Sequence, residues 1–255
     1  MTTNETPNRT ALVTGSTSGI GEAIARTLAA AGTHVLVSGR DTTRGERLVG
    51  ELRAAGAKAD FLAADLSRPA AELRALVETA TQLLGGRIDV LVNNAGIYPV
   101  GPTASASDED LDAMLAVNVR APHVLVGEIA PAMVAHGGGA IVNIGSWMSR
   151  TGVAFGAMYT ATKAAVEQMT RTWAAEFGPS GVRVNTVAPG ITLTPGNDYA
   201  REVVLAQAAT TPAGVPAAPQ DVADAVAFIV SDAARMVQGV TLDVDGGLTA
   251  TRLSW

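Results

Sequence analysis

The run Thr14-Gly15-Ser16-Thr17-Ser18-Gly19-Ile20-Gly21 decides how this chain folds. It follows a short apolar segment at 11–13 and opens a helical pattern over 21–31, so its glycines stand where a strand must turn sharply into a helix. Peptide N–H groups at such a helix start are unpaired and favour an anion, and glycine lets the backbone come close to one. The spacing Gly-x-x-x-Gly-x-Gly suits a pyrophosphate, although an isolated loop of this kind is about as often a plain turn.

Outward from that loop the chain alternates. Short apolar runs at 11–13, 35–38, 59–63, 90–92, 140–144, 182–187 and 240–244 read as strands. Amphipathic stretches at 21–31, 43–55, 70–84, 109–135, 158–177 and 220–231 lie between them and read as crossover helices. Strands joined by helices run parallel and are covered on both faces, which predicts an α/β fold: one doubly wound, seven-stranded sheet of Rossmann type. No linker, repeat or composition break divides the chain, so residues 1–255 read as a single domain. The stretch 192–219, rich in Thr, Pro, Gly and Ala, carries no strand pattern; a substrate lid and a surface insertion fit it equally.

Composition narrows the partners. Apolar residues make up 47% and charged residues 16%, and 18 basic against 24 acidic side chains leave a net charge of -6 with no basic stripe. That balance excludes nucleic acid as an expected partner. Cysteine is absent and the three histidines are scattered, so no metal site is expected. The start of the chain has no secretory pattern and no apolar run approaches membrane-spanning length, which makes the cytoplasm the expected location and a membrane an unexpected partner.

Further motifs follow in order: Asp65 after the third strand, Asn93-Asn94-Ala95-Gly96 after the fourth, Asn118, Ser146, Tyr159-x-x-x-Lys163, Pro189-Gly190 and Asp245-Gly246-Gly247. Together with the glycine loop they resemble the short-chain dehydrogenase/reductase family along nearly the whole chain. The resemblance implies a dinucleotide held by Gly15, Ser16, Thr17, Ser18, Gly19, Ile20 and Gly21. It implies that Asp65 and Leu66 flank the adenine, and that Asn93, Ala95 and Gly96 line the ribose and diphosphate. Pro189, Gly190, Ile191 and Thr194 would hold the nicotinamide end. Asp65 taken alone reads equally as a turn or helix cap.

Cofactor choice is argued from the end of the second strand, Val37-Ser38-Gly39-Arg40. An acid there would bond the adenosine ribose hydroxyls and repel a 2′-phosphate. Position 39 is glycine, and Arg40 can pair with the phosphate, so NADP is expected over NAD. Ser18 stands where many NADP-preferring relatives carry a second basic residue, and Asp41 adjoins Arg40.

Tyr159 and Lys163 are one helical turn apart and share a face. At an effective dielectric of about 20 and about 5 Å, a unit charge is worth on the order of 3 kcal/mol, enough to lower a phenol pKa by about two units. By resemblance, Tyr159 is the acid/base, Ser146 bonds the substrate oxygen, Lys163 binds the nicotinamide ribose, and Asn118 holds a water that links Lys163 to solvent. Ile97, Tyr98, Trp147, Met148, Val153, Phe155 and Ile191 are expected near the reacting carbon, an apolar set that fits an uncharged ketone or secondary alcohol. Val153 and Ile191 read equally as core.

Three alternatives remain at this stage: an NAD-dependent dehydrogenase of a secondary alcohol, sugar or steroid, a 3-oxoacyl-[acyl-carrier-protein] reductase, and a cofactor-sensing binding protein. No Lys or Arg stands at 135–139 or 179–181, where the carrier-dependent reductases dock their acidic partner, so a free small molecule is favoured. The helices at 109–135 and 158–177 carry apolar residues on more than one face, and the family usually assembles through them, which implies a homo-oligomer, a tetramer or a dimer. Leu253 and Trp255 read as a tail across a neighbouring subunit or a frayed end.

Overall fold

Seven strands, β1 (Thr10–Thr14), β2 (His34–Gly39), β3 (Ala59–Ala63), β4 (Val90–Asn93), β5 (Gly139–Ile144), β6 (Val182–Pro189) and β7 (Thr241–Val244), pair in parallel in the order β3-β2-β1-β4-β5-β6-β7. The computed structural model describes residues 9–251, so Leu253 and Trp255 lie outside the described residues. Each apolar run read as a strand is one. The order reverses between β1 and β4, and in an open parallel sheet a crevice forms at the carboxyl ends of the strands on either side of such a reversal.

Strand periodicity explains why both faces are covered. Val13, Val37 and Val92 point to one side, where Ile24 of α1 (Gly19–Ala30), Leu48 of α2 (Thr42–Ala54) and Val226 of α8 (Pro219–Val230) meet them. Leu12, Leu36, Leu91 and Ile141 point to the other, onto Leu73 of α3 (Ala70–Leu83), Leu125 of α5 (Ala121–Ala135) and Trp173 of α6 (Ala157–Phe177). Alternate residues feeding two cores leave no polar face, hence the unbroken apolar runs.

Two segments differ from their sequence reading. The stretch 109–135 is interrupted: α4 (Asp108–Met114) passes through a π-helical turn, Leu115–Arg120, into α5. Pro122 has no N–H to give the carbonyl four residues back, so the α-helical ladder is broken there. The 192–219 stretch is no bare loop. It holds a 3-10 turn (Asp198–Ala200) and α7 (Arg201–Ala208), and its ends meet in a bridge between Thr192 and Ala217. With only Val204 and Ala208 buried, α7 is too short for a periodic signal. No described helix is long and apolar enough to cross a membrane.

Candidate active site

Two stitches hold the glycine-rich turn. Ser16 N–H donates to Ser38 O at 2.9 Å, while Ser16 Oγ donates to Val13 O at 2.7 Å and accepts from Ser38 N–H at 3.0 Å. On the β4 side, Asn94 Nδ2 donates to Thr14 O and Gly15 O at 2.9 and 3.0 Å. Gly15 has φ +62°, and a Cβ there would lie 2.8 Å from Ala95 Cα; one at Gly21 would lie 2.4 Å from Gly15 O. Only glycine permits so tight a turn with α1 starting beneath it.

A groove of about 470 Å³ runs along this turn. Gly15, Thr17, Ser18, Gly19, Ile20 and Gly21 form its floor, Arg40, Asp65 and Leu66 stand at one end, and Ala95, Gly96 and Thr194 at the other. The Asp65 carboxyl is held below its ordinary pKa first by the Ser67 N–H and then by the Ser67 hydroxyl, so the capping role and the groove position coexist.

Four expected residues, Ser16, Asn93, Asn118 and Val153, do not line the groove or the cavity beside it. Ser16 is fully buried in the stitch to β2. Val153 lines neither. Asn93 faces the interior and donates to Asn143 Oδ1 at 2.8 Å, which starts a buried polar row through Thr170 to Thr186. Asn94 takes the place expected of Asn93, because successive residues leaving a strand point to opposite sides. Sequence reasoning also missed Arg44, which lines the groove from α2.

The groove opens into a cavity of about 370 Å³, sharing Ile20, Asn94, Gly96, Tyr98 and Thr194 with it. Ser146, just past β5, and Tyr159 and Lys163, in the first turns of α6, meet here with Pro189, Gly190 and Ile191. Tyr98, Val100, Trp147, Met148 and Phe155 supply an apolar wall, and Val204 and Gln207 of α7 close the far side. Thr194, Asn197, Val204 and Gln207, all from the 192–219 stretch, line this cavity.

Lys163 is buried and donates to Ile144 O at 2.8 Å, with its Nζ 6.0 Å from the Tyr159 ring centroid. Burial pulls its pKa down to about 8. The expected lowering of Tyr159 is reversed. Burial raises the phenol pKa, hydrogen bonding with Ser146 pulls it back in part, and Tyr98, edge-on at 6.4 Å between centroids, adds to the rise. Desolvation is the largest of these influences on the phenol.

Asn118 sits in the π turn, with its side-chain amide bonded to the Ile97 backbone and to Thr162 Oγ1. Its Oδ1 and the Lys163 Nζ both border the Cα of Gly96, each 3.4 Å from the point a Cβ would take. Its side-chain donors are therefore spent on protein. Pro122 was the sequence signal for the π turn.

A family model for the short chain dehydrogenases matches residues 9–204. The chain belongs to this family. The dehydrogenase is 36% identical over 245 residues to the 2,5-dichloro-2,5-cyclohexadiene-1,4-diol dehydrogenase LinX of Sphingobium indicum, covering 96% of this chain and 97% of that one. A gluconate 5-dehydrogenase from Burkholderia cenocepacia, solved with NADP and tartrate, matches with a TM-score of 0.88 and 35% identity over 95% of this chain and 96% of its own. A variant of the actinorhodin polyketide ketoreductase, solved with NADPH, matches with a TM-score of 0.89 and 34% identity over 96% and 98%. This dehydrogenase is thus an oxidoreductase of alcohol and carbonyl groups that works with a nicotinamide dinucleotide.

Proposed function

We propose that this dehydrogenase interconverts an uncharged ketone and its secondary alcohol with NADP(H), with Tyr159 as the acid/base. The observation that carries the reading is the convergence of Ser146, Tyr159 and Lys163 where the glycine-floored groove meets the apolar cavity. The groove fits a dinucleotide: the close approaches at Gly15 and Gly21 bring the α1 N-terminus to its floor, and the Thr17 hydroxyl has no hydrogen-bond partner among the described residues.

The dinucleotide supplies or accepts the hydride. In reduction, Tyr159 gives its phenol proton to the carbonyl oxygen as that oxygen gains the C=O π pair, and Ser146 donates a hydrogen bond to the same oxygen. Lys163 offsets the phenolate that remains. A phenol raised by burial suits the acid role, and oxidation then runs faster at higher pH, where Tyr159 gives up its proton more readily.

NADP is supported by Arg40, which lines the groove and has no carboxylate in salt-bridge range among the described residues. Asp41 does not neutralise it: its carboxylate caps α2, accepting from Arg44 N–H at 2.9 Å and pairing with Arg44 Nε at 3.1 Å. The apolar wall disfavours a charged substrate, since among the described residues no acidic side chain and no arginine lines the cavity.

The test is a panel of ketones and alcohols with both dinucleotides, run with Tyr159→Phe. Turnover in the variant should fall by about a thousandfold, with the NADPH dissociation constant unchanged. Activity surviving in Tyr159→Phe would remove the mechanism, and tighter binding of NADH by the natural chain would remove the NADP assignment.

A further inference from the structure

Gly39 is the last residue of β2, where an acid would read the adenosine ribose. Its backbone is not in the left-handed region, so its conformation suits any residue. Space forbids a side chain instead. A Cβ at Gly39 would lie 2.8 Å from Thr17 Cγ2 and 3.1 Å from Thr17 Oγ1. Both branches of the threonine face that point, so rotating χ1 exchanges one collision for another.

Thr17 cannot easily retreat. It is 9% exposed, and Ser16 beside it is tied to β1 and β2 by the three hydrogen bonds described above. Its hydroxyl has no hydrogen-bond partner among the described residues, and Thr17 lines the same groove as Arg40 and Arg44. Ser38 Oγ, one residue before Gly39, is also buried without a partner among the described residues. One small volume therefore holds Thr17, and a side chain at position 39 would need the same space.

We infer that Thr17 and Gly39 set the choice of dinucleotide as a pair: Thr17 occupies the place of a ribose-reading acid and leaves that edge of the groove to hydroxyl and guanidinium groups that suit a 2′-phosphate. The inference rests on the NADP reading above. It makes a claim that Arg40 alone does not: an acid installed at position 39 fails to recruit NADH unless Thr17 is cut back.

Dissociation constants for NADPH and NADH, from fluorescence titration of the full chain, test it in Gly39→Asp, Thr17→Ala and the double variant. With Thr17→Ala only the Cβ of residue 17 remains near the site, at 3.5 Å, which is ordinary contact. Gly39→Asp should weaken both dinucleotides, Thr17→Ala should still prefer NADPH, and the double variant should bind NADH at least about tenfold better than Gly39→Asp does. Equal NADH affinity in Gly39→Asp and the double variant overturns the pairing.

A second cycle needs no cofactor. Gly39→Ala should lower Tm by about 4 °C or more when Thr17 is present and by much less beside Thr17→Ala. Equal losses in the two backgrounds overturn the steric claim even if the acidic variants fail to fold. NADH preference in the natural chain would instead sink the NADP reading, while this Tm cycle still reports on the pair.

Discussion

The side-chain amide of Asn118 takes up both backbone polar groups of Ile97, accepting from its N–H and donating to its C=O at 2.9 Å each. The π turn thereby holds the segment after β4 extended beside Lys163. Asn118→Ala leaves these groups without a protein partner, which should cost about 1–3 kcal/mol of stability and lower kcat more than it raises the KM for substrate. Urea unfolding and steady-state kinetics check both. Unchanged kcat would confine Asn118 to a folding role.

A second support lies behind Ser146. Ser149 Oγ donates to Ser146 O at 2.6 Å and also contacts the buried Glu167 carboxylate, which Arg150 Nε approaches at 3.4 Å while Arg150 Nη1 bonds Asp243 of β7 at 3.0 Å. Glu167→Ala should lower Tm by several degrees and reduce kcat, with NADPH affinity retained and Glu167→Gln recovering most of the loss. Recovery failing in Glu167→Gln, with the fold intact, would point to the charge rather than the contact.

Burial of Lys163 carries a pH signature. Its pKa of about 8 in the folded chain lies below its ordinary value of 10.5, so above pH 8 the unfolded chain binds the extra proton. Stability therefore rises with pH from about 8 towards 10, and at neutral pH the buried charge costs about 3 kcal/mol. The raised pKa of Tyr159 opposes this only above its ordinary value of 10. Urea midpoints across that window should climb in the natural chain and stay flatter in Lys163→Met; parallel curves would contradict the assignment.

Arg44 is the groove cation that Asp41 holds in place. Loss of one charge-assisted contact to a phosphate predicts about a tenfold weaker NADPH complex in Arg44→Ala, with NADH affinity unchanged. NADPH binding in the natural chain should also weaken with added salt, because these guanidinium groups are exposed. Equal losses for both dinucleotides would mean that the Arg44 side chain serves only to hold the Asp41 cap in place.

The sequence was enough to reveal β1 to β7, the crossover helices, the glycine turn and the shared face of Tyr159 and Lys163. These depend on local periodicity, on alternate positions along a strand and on every fourth position along a helix, and both repeats are written in neighbouring residues. The turn of Asn93 into the core and of Asn94 to the groove, the π turn under Asn118, the helix inside 192–219, the burial that raises Tyr159 and the contest of Thr17 with Gly39 emerged only in three dimensions. Each is a distance or a desolvation set by segments far apart in the chain, and no local pattern encodes how much space they leave one another.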